Sequence, residues 1–267
     1  MKQDKISVII PCHNELETIT ECINSFKKQT LKPYEIIIVD DNSKDNSTEI
    51  VKLMKVKVLQ TKKNLGPAGA RNEGAKIAKG DFLVFAEADG KYSSNYLEKI
   101  ITPLKSPKTG GVLSGRRIIW TDKNSLFVKF QNLKWAIVEK MMDEGKREII
   151  GAWAFRKKLF LEIKGYDEKY WIGEDVELAD RIKLKGYQLR WVSGTYFYHK
   201  DPDTLQKFIQ DRKRRRNETR KPEKISRFSK KTSIKLYSLI LKRTLKKGNL
   251  KLFFYCLFLP FRVKIGC

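Results

Sequence analysis

Two acidic residues, Glu87 and Asp89, follow directly after a short apolar run and are spaced for joint chemistry. The run at residues 82–86 predicts a buried strand, because it is short, continuous and bounded by polar residues. Residues i and i+2 of an extended chain point to the same side, so both carboxylates would face one way. Hard divalent cations prefer oxygen ligands, and open α/β sheets bind ligands at the carboxyl ends of their strands. The alternative is that both residues are solvated loop acids.

The elements that would position these acids alternate along the chain. Apolar runs predict strands at 6–10, 35–39 and 56–59, and helical spacing predicts helices from Glu15 to Lys28, through 50–54 and from Ala68 to Ala78. This alternation predicts an α/β fold with a mostly parallel central sheet and helices on both faces. Right-handed crossovers would bring the polar residues that follow the strands to one rim, among them Asp40 and Asp41.

Seven segments occur in an order and spacing that are specific as a set. They are residues 7–15, 38–43, 69–74, 78–82, 87–89, 165–168 and 173–177. Through them the chain resembles the family-2 inverting glycosyltransferases, which have the GT-A (Rossmann-like) nucleotide-sugar fold. The resemblance implies a catalytic domain at 1–202, with a nucleotide-binding half at 1–110 and an acceptor half at 111–202. Residues 203–267 would form a basic, amphipathic helical extension.

The resemblance assigns four residues that follow the first two strands to the nucleotide. Asp40 and Asp41 match the acid that contacts the base, where a carboxylate can accept a hydrogen bond from uracil N3–H or from guanine N–H groups. Pro11 and Glu15 would lie close to the base and the ribose. Two alternatives stay open. One aspartate caps the next turn, and Glu15 is a first-turn acid that the helix dipole favours.

Arg71 and Glu87 complete the predicted nucleotide-sugar site. Arg71 lies early in the third helix, in a segment that packs near the ribose and diphosphate in the family, and both helix amino ends and arginine favour anions. Alternatively, Arg71 braces a neighbouring acid such as Asp40 or Glu87. Glu87 stands where the family's acid-x-acid motif begins with Asp, and the partner implied for it is the ribose.

The resemblance also implies a divalent cation, and Mg²⁺ and Mn²⁺ both suit an oxygen-rich site. Asp89 matches the metal-binding acid of the family. His199 lies where relatives often carry a histidine that completes the metal shell, and its alternative is a partly buried histidine bonded to backbone. The cation would neutralise the charge of the two phosphates as the nucleoside diphosphate departs.

Glu174 and Asp175 open a predicted helix that runs to about Lys185 and stops at Gly186. Asp175 matches the family's catalytic base, which takes the proton of an acceptor hydroxyl while the oxygen attacks C1 of the sugar. Glu174 would orient or contact the acceptor. The alternative is that both are ordinary acids of a first helical turn.

The net charge of +25 is concentrated in the carboxyl-terminal residues, because residues 203–267 hold 20 Lys and Arg against 4 Asp and Glu. The apolar run at 252–261 has half of the roughly 20 residues that a spanning helix needs, and Pro260 interrupts it. We expect the run to lie in the interface of an anionic membrane, or else to pack as a helical hairpin on the domain. Specific nucleic-acid binding is not expected, since no recognised motif accompanies the charge.

The cysteines and the first residues favour a cytoplasmic location. Cys12, Cys22, Cys256 and Cys267 show neither metal-ligand spacing nor a disulfide pattern. The first predicted strand begins within a few residues of Met1, and no signal peptide is expected. With the basic extension, these features predict a cytoplasmic protein that is peripheral at the cytoplasmic face of the membrane.

The expected function is metal-dependent transfer of a sugar from a nucleoside-diphosphate sugar, first of all a UDP-sugar, to a glycan hydroxyl or a lipid phosphate. Such a reaction would serve the synthesis of cell-surface glycans or glycolipids. A sugar nucleotidyltransferase is disfavoured, because residues 11–15 stand in place of its Gly- and Arg-rich loop. The other alternative is a catalytically inactive, membrane-associated binding subunit, against which the presence of Asp89 and Asp175 argues.

Overall fold

The computed structural model describes residues 4–122, 124–147, 149, 151–170, 172–218, 230–246 and 248–257. Contacts between Cα atoms divide the chain into two units. Unit 1 comprises Met1–Gly115 and Ile149–Phe197, and unit 2 comprises Arg116–Glu148 and Tyr198–Cys267. The predicted division at residues 110 and 202 stays a prediction.

Strands and helices alternate along much of the chain. The strands are β1 (Ile6–Cys12), β2 (Glu35–Asp40), β3 (Lys57–Gln60), β4 (Phe82–Phe85), β5 (Gly90–Tyr92), β6 (Thr109–Ile119), β7 (Ala154–Arg156) and β8 (Gln188–His199). The α-helices are α1 (Ile19–Lys27), α2 (Ser47–Leu53), α3 (Gly66–Ile77), α4 (Tyr96–Ile101), α5 (Leu126–Asp143), α6 (Lys157–Glu162), α7 (Glu174–Leu184), α8 (Leu205–Glu218) and α9 (Lys230–Lys246). A short 3-10 helix spans Thr102–Lys105, and residues 250–257 are helical.

A single mixed sheet joins these strands in the order β3-β2-β1-β4-β7-β6-β8-β5. The first four strands are parallel neighbours, whereas β7 runs antiparallel to both β4 and β6. β1 and β2 are apolar over most of their length, as expected of parallel strands that helices cover on both faces. The predicted α/β architecture with a mostly parallel central sheet is confirmed.

Two apolar layers enclose the sheet in unit 1. Val8 and Ile10 of β1 belong to one layer, together with residues of α1 and α4, and the intervening Ile9 belongs to the other, together with residues of α3, α6 and α7. This alternation follows from the two-residue period of a strand. Gly74 lets α3 lie close to the sheet, because a Cβ at that position would collide with the Ile9 side chain.

Two helices begin at positions that differ from the prediction. α1 begins at Ile19 rather than Glu15, and the residues before it form a turn in which the Glu15 carbonyl accepts hydrogen bonds from the N–H groups of Thr18 (3.1 Å) and Ile19 (3.0 Å). α3 begins two residues before its predicted start, at Gly66, since the fixed φ of Pro67 suits a first helical turn.

The carboxyl-terminal helices of unit 2 pack on α5. Ile240 of α9 and Cys256 in the helical residues 250–257 are buried in one apolar cluster with Phe130 of α5. Such packing is what one of the two expectations for this region described, namely a helical hairpin that packs on the domain. In the part of the chain that the structure describes, no helix is both long and apolar enough to cross a bilayer. Residues 258–261 of the predicted apolar run lie outside the described residues.

Candidate active site

The carboxyl ends of the parallel strands β2, β1 and β4 form one edge of the sheet in unit 1. The register pairs Cys12 of β1 with Asp40 of β2. On the other side of β1, the Ala86 N–H donates to the Ile9 carbonyl (3.0 Å), so the chain reaches Glu87 at the same edge. The polar residues that were predicted to meet at a rim therefore lie at one edge of the sheet.

The Asp40 carboxylate is buried and engaged by the turn that follows β2. One oxygen accepts a hydrogen bond from the Ser43 N–H (3.2 Å) and the other from the Thr48 hydroxyl (2.6 Å). The first bond closes a turn through an aspartate side chain, and the second ties this turn to α2. Asp40 thus caps the turn, as one of the two interpretations expected, and its contact with a base stays a prediction.

Asp41 holds the amino end of α3. Its carboxylate accepts hydrogen bonds from the N–H groups of Leu65 (2.9 Å) and Gly66 (2.8 Å) and from the Thr61 hydroxyl (2.9 Å). A negative charge at this end of a helix is favourable, because the first N–H groups of the helix lack partners within it. Asp41 therefore positions the helix that carries Arg71, and its contact with a base also stays a prediction.

Pro11 and Glu15 flank the loop after β1. Pro11 is half-buried in the strand and pairs in register with Val39. Glu15 is half-buried, its carboxylate accepts a hydrogen bond from the Thr18 hydroxyl (3.0 Å), and its N–H donates to the Ser47 hydroxyl (3.0 Å). Both residues lie at the expected edge of the sheet, and their contact with a nucleotide stays a prediction.

Arg71 forms a buried ion pair with Glu174. Its Nη1 lies 2.6 Å from Glu174 Oε1, and only 5% and 10% of the two side chains are exposed. The guanidinium also lies 5.1 Å from the ring centroid of Trp153 and 5.5 Å from that of Tyr166, within cation–π range. The contacts therefore show the bracing role of Arg71, although the braced acid is Glu174 and neither of the two acids named from the sequence.

Burial and pairing act on the pKa of Arg71 in opposite directions. Burial lowers this pKa, whereas the charge of Glu174 and its hydrogen bond raise it, and the net shift is upward. The Nε atom of Arg71 has no hydrogen-bond partner among the residues that the structure describes. Arg71 is therefore a fixed positive charge inside unit 1, and it is directed at Glu174.

Asp175 lies next to this ion pair, at the start of α7. Gly173 precedes the helix with a φ of 85°, a conformation that favours glycine, and this turn places Glu174 and Asp175 in the first helical turn. Burial, and next the charge of Glu174, raise the pKa of Asp175 to about 6 against the opposing charge of Arg71. A buried carboxylate with such a pKa suits a general base that works near neutral pH.

A glycine leaves room for the Asp175 carboxylate. A Cβ atom at Gly151 would lie 2.7 Å from Asp175 Oδ2, closer than unbonded atoms approach. A side chain at position 151 would therefore force the Asp175 carboxylate to move.

Glu87 and Asp89 occupy a tight turn between β4 and β5. The Glu87 N–H donates to the Tyr92 hydroxyl (2.8 Å), and the Gly90 N–H donates to the Glu87 carbonyl (3.0 Å). A Cβ at Gly90 would lie 2.9 Å from the Tyr92 ring, so there is no space for a side chain at position 90. Both acidic side chains are half-buried at the sheet edge.

His199 is the last residue of β8, and Arg117 contacts its ring. Arg117 Nη2 lies 2.7 Å from Nδ1 and 2.8 Å from Nε2 of His199, and Arg117 Nε lies 2.6 Å from Asp201 Oδ2. Because arginine only donates, a hydrogen bond from Arg117 to this ring makes a ring nitrogen the acceptor. Sequence reasoning missed Arg117 and Asp201, which are 84 residues apart and share no local motif.

Glu87 and Asp89 of unit 1 and His199 of unit 2 each offer a ligand atom of a kind that metal ions bind. The carboxylates fit Mg²⁺ or Mn²⁺, and a neutral imidazole can add a nitrogen ligand. That Asp89 and His199 share one cation stays a prediction, and Glu87, which was expected at the ribose, is a further candidate ligand.

The parallel sheet and its acid-lined edge define a GT-A glycosyltransferase domain. The profile of "Glycosyl transferase family 2" matches residues 7–163, more than half of the chain, and the profile of "N-terminal domain of galactosyltransferase" matches residues 136–201. The chain belongs to glycosyl transferase family 2. The family and the enzyme class predicted from the sequence are confirmed.

Two relatives are synthases of bacterial polysaccharide by name. The poly-beta-1,6-N-acetyl-D-glucosamine synthase of Staphylococcus epidermidis is 28% identical over 211 residues, which are 75% of this chain and 51% of that protein. The synthase of the same name from Staphylococcus aureus (strain COL) is 26% identical, with the same coverage. The chain thus spans about half the length of the curated relatives that it matches.

Solved structures of TarS from S. aureus share the fold. The TarS crystal structure matches with a TM-score of 0.56 at 21% identity, over 77% of this chain and 38% of that chain. The structure of TarS 1-349 in complex with UDP matches with a TM-score of 0.54 at 21% identity, over 77% of this chain and 62% of that chain. These likenesses confirm the predicted fold class.

Proposed function

We propose that this chain transfers a sugar from a nucleoside-diphosphate sugar to a hydroxyl group of a glycan, with inversion at C1 and with a divalent cation bound. The observation that carries the proposal is Asp175, a largely buried carboxylate whose pKa is raised to about 6 beside the Arg71–Glu174 ion pair. The names of the two polysaccharide synthases support a glycan as acceptor.

Asp175 takes the proton of the acceptor hydroxyl as the oxygen attacks C1 from the side opposite the leaving group. Inversion in one step needs a single base and no nucleophile on the protein. Glu174 acts on this base in two ways. Its charge raises the pKa of Asp175, and its ion pair with Arg71 holds the first turn of α7 in place.

The donor binds at the sheet edge formed by the ends of β1, β2 and β4. UDP is the first nucleotide to test, because TarS 1-349 was solved with UDP. Glu87, Asp89 and His199 hold the cation in this proposal, and a bound cation supplies positive charge for the phosphates of the leaving group. Because Arg71 forms an ion pair with Glu174, it supports this site indirectly and does not contact the phosphates.

A lipid phosphate is the other acceptor that fits the family, and it makes a different demand on Asp175. A phosphate is already anionic at neutral pH and has no proton that a base must remove. With such an acceptor, Asp175 would position the acceptor only. The size of the effect of Asp175→Asn therefore distinguishes a hydroxyl acceptor from a phosphate acceptor.

The first experiment measures the binding and slow hydrolysis of UDP-, GDP- and dTDP-sugars with Mg²⁺, Mn²⁺ or EDTA. We expect one donor to bind in the presence of a cation, and we expect EDTA and Asp89→Ala to abolish this binding. Asp81→Ala is the matched control, because Asp81 is an exposed aspartate at the opposite end of β4 and should be dispensable.

Two outcomes would contradict the proposal. If the folded protein binds no nucleotide sugar with either cation, sugar transfer from these donors is wrong for this chain. If a donor binds equally well in EDTA and in Asp89→Ala, the cation and its three ligands are wrong while the donor site stands. Circular dichroism of each variant shows whether a loss of binding is a loss of fold.

A further inference from the structure

The end of α9 and the helical residues 250–257 expose large apolar side chains. The exposed fractions are 54% for Leu245, 56% for Leu250, 52% for Phe254 and 38% for Leu257. Residues 250, 254 and 257 are spaced by four and three, so they lie along one side of the helix. We call the side chains of Leu250, Phe254 and Leu257 the apolar face.

The apolar face is not the side by which this helix packs in unit 2. Leu252 and Cys256 on the other side of the helix are 6% and 0% exposed, and they belong to the same apolar cluster as Ile240 of α9 and Met141 of α5. The helical residues 250–257 are therefore apolar on two sides. One side packs within unit 2, and the other faces solvent.

Exposed lysines are close to the apolar face in the sequence. Lys242 and Lys246 in the last turns of α9 are exposed, and so is Lys251 beside Leu250. They are part of the excess of positive charge in residues 203–267, where 20 Lys and Arg stand against 4 Asp and Glu. Apolar side chains flanked by lysine are typical of segments that lie in a membrane interface, since long lysine side chains reach the headgroups.

We propose that the apolar face docks unit 2 on the surface of an anionic lipid bilayer, with Leu250 and Phe254 entering the interface. The charge of these exposed lysines complements anionic headgroups, and burial of the apolar side chains adds free energy that charge alone does not supply. None of these residues belongs to the donor or acceptor site, so this proposal does not rest on the proposed function.

Two other occupants fit the face less well. A second copy of the chain would cover the apolar side chains, but each copy brings the same positive charge to the contact. Nucleic acid would pair with the lysines, but it would leave the apolar side chains in water, because the duplex backbone offers phosphate and sugar.

The test is flotation of the full chain with vesicles of phosphatidylcholine alone or mixed with phosphatidylglycerol, at low and high salt. Wild type should float with the mixed vesicles only. The variant Leu250→Ser/Phe254→Ser should lower the partition coefficient about tenfold or more. The matched control is Leu53→Ser/Leu184→Ser, which removes two leucines of unit 1 that are 82% and 87% exposed and should leave flotation unchanged.

Several outcomes would overturn this proposal. Wild type that does not float, or a Leu250→Ser/Phe254→Ser variant that floats like wild type, excludes insertion of the apolar face. Sedimentation that shows a dimer of wild type and a monomer of the variant assigns the face to a second copy. Donor binding measured on the same variants should be unchanged, so failure here is distinguishable from failure of the proposed function.

Discussion

Two pairs of adjacent acids at the sheet edge and at the start of α7 in unit 1, Asp40–Asp41 and Glu174–Asp175, are partnered in different ways. Asp40 and Asp41 accept hydrogen bonds from backbone N–H groups and threonine hydroxyls, all of them neutral donors. Glu174 instead takes the full positive charge of Arg71. The Asp175 carboxylate accepts a hydrogen bond from the N–H of its neighbour Val176 (2.9 Å) and lies in a largely buried position.

The difference shows how adjacent acids acquire separate tasks. Neutral donors fix the carboxylates of the first pair and thereby shape the turn after β2 and the start of α3. In the second pair, one arginine balances one of two negative charges. The uncompensated charge is costly where water is excluded, and the pKa of Asp175 rises accordingly. The placement of Arg71 therefore separates the structural acid from the chemically active acid.

The largest expected effect is on catalysis, from replacement of the active member of the second pair. Asp175→Asn should lower kcat by about 10²–10⁴, the usual contribution of a general base, while the fold is retained. Initial rates at saturating donor and acceptor measure this, with Glu49→Gln on the exposed side of α2 as the control. A variant that keeps most of its rate would remove Asp175 from proton transfer.

The pH dependence of the wild-type rate should follow the same carboxylate. Asp175 accepts a proton only when it is ionised, so kcat/KM should rise with pH up to about 6 and level off above it. At lower pH the rate should fall about tenfold for each unit, as expected for one titrating group. A rate that is flat from pH 5 to pH 8 would contradict the assignment.

Removing one partner of the buried ion pair should destabilise the protein strongly. Glu174→Gln or Arg71→Met should each lower the free energy of unfolding by about 3–5 kcal/mol, because each leaves a buried charge uncompensated. The double variant should lower the free energy of unfolding by less than the two single variants do together. Urea unfolding measures all three, and Glu73→Gln/Lys76→Met, at a more exposed pair of α3, should change stability by less than about 1 kcal/mol.

Asp175→Asn should stabilise the protein at neutral pH while it removes activity. The folded pKa of about 6 lies above the ordinary value of 3.8, so ionisation of Asp175 opposes folding as pH rises through 6. The increase in the free energy of unfolding is on the order of 3 kcal/mol at most at pH 8 and should vanish below pH 4. Urea unfolding at both pH values tests this, and an equal gain at both would contradict linkage to Asp175.

The smallest effects should come from the first pair. Asp41→Asn should lower the free energy of unfolding by about 1–3 kcal/mol, because an amide group cannot accept all the hydrogen bonds that now come from Thr61, Leu65 and Gly66. Asp40→Asn should cost less, since fewer donors are lost. Donor binding on the same variants sharpens the comparison. A loss of affinity beyond the loss of folded protein would show that these acids also contact the base.

Much of the fold could be predicted from the sequence, because its signals are local. The apolar runs of β1 and β2 mark strands that are covered on both faces, and Gly186 marks the end of α7 with a φ of 82°. The order of the strands then places Asp40 and Glu87 at one edge. These steps need only the period of each element and the handedness of its connections.

The partners within the site could not be predicted in the same way. Arg71 and Glu174 are 103 residues apart, and their meeting depends on how α3 and α7 pack in one apolar layer of the sheet. The sequence indicated an arginine that braces an acid, but it had no means to choose Glu174. The contact of Arg117 with His199 is of the same kind, since no motif links the two residues.

Among the residues that the structure describes, three free thiols are buried, Cys12 and Cys22 in unit 1 and Cys256 in unit 2. Burial is the main cause that raises the pKa of Cys12 to about 12 and of Cys256 to about 11, and that of Cys22 well above its ordinary value. Only thiolates are alkylated, so each thiol reacts when its surroundings open. In a Cys267→Ser variant, the alkylation rates of these thiols would therefore report how often each unit opens, separately and within one intact chain. A bound nucleotide should slow the labelling of Cys12 and leave that of Cys256 unchanged.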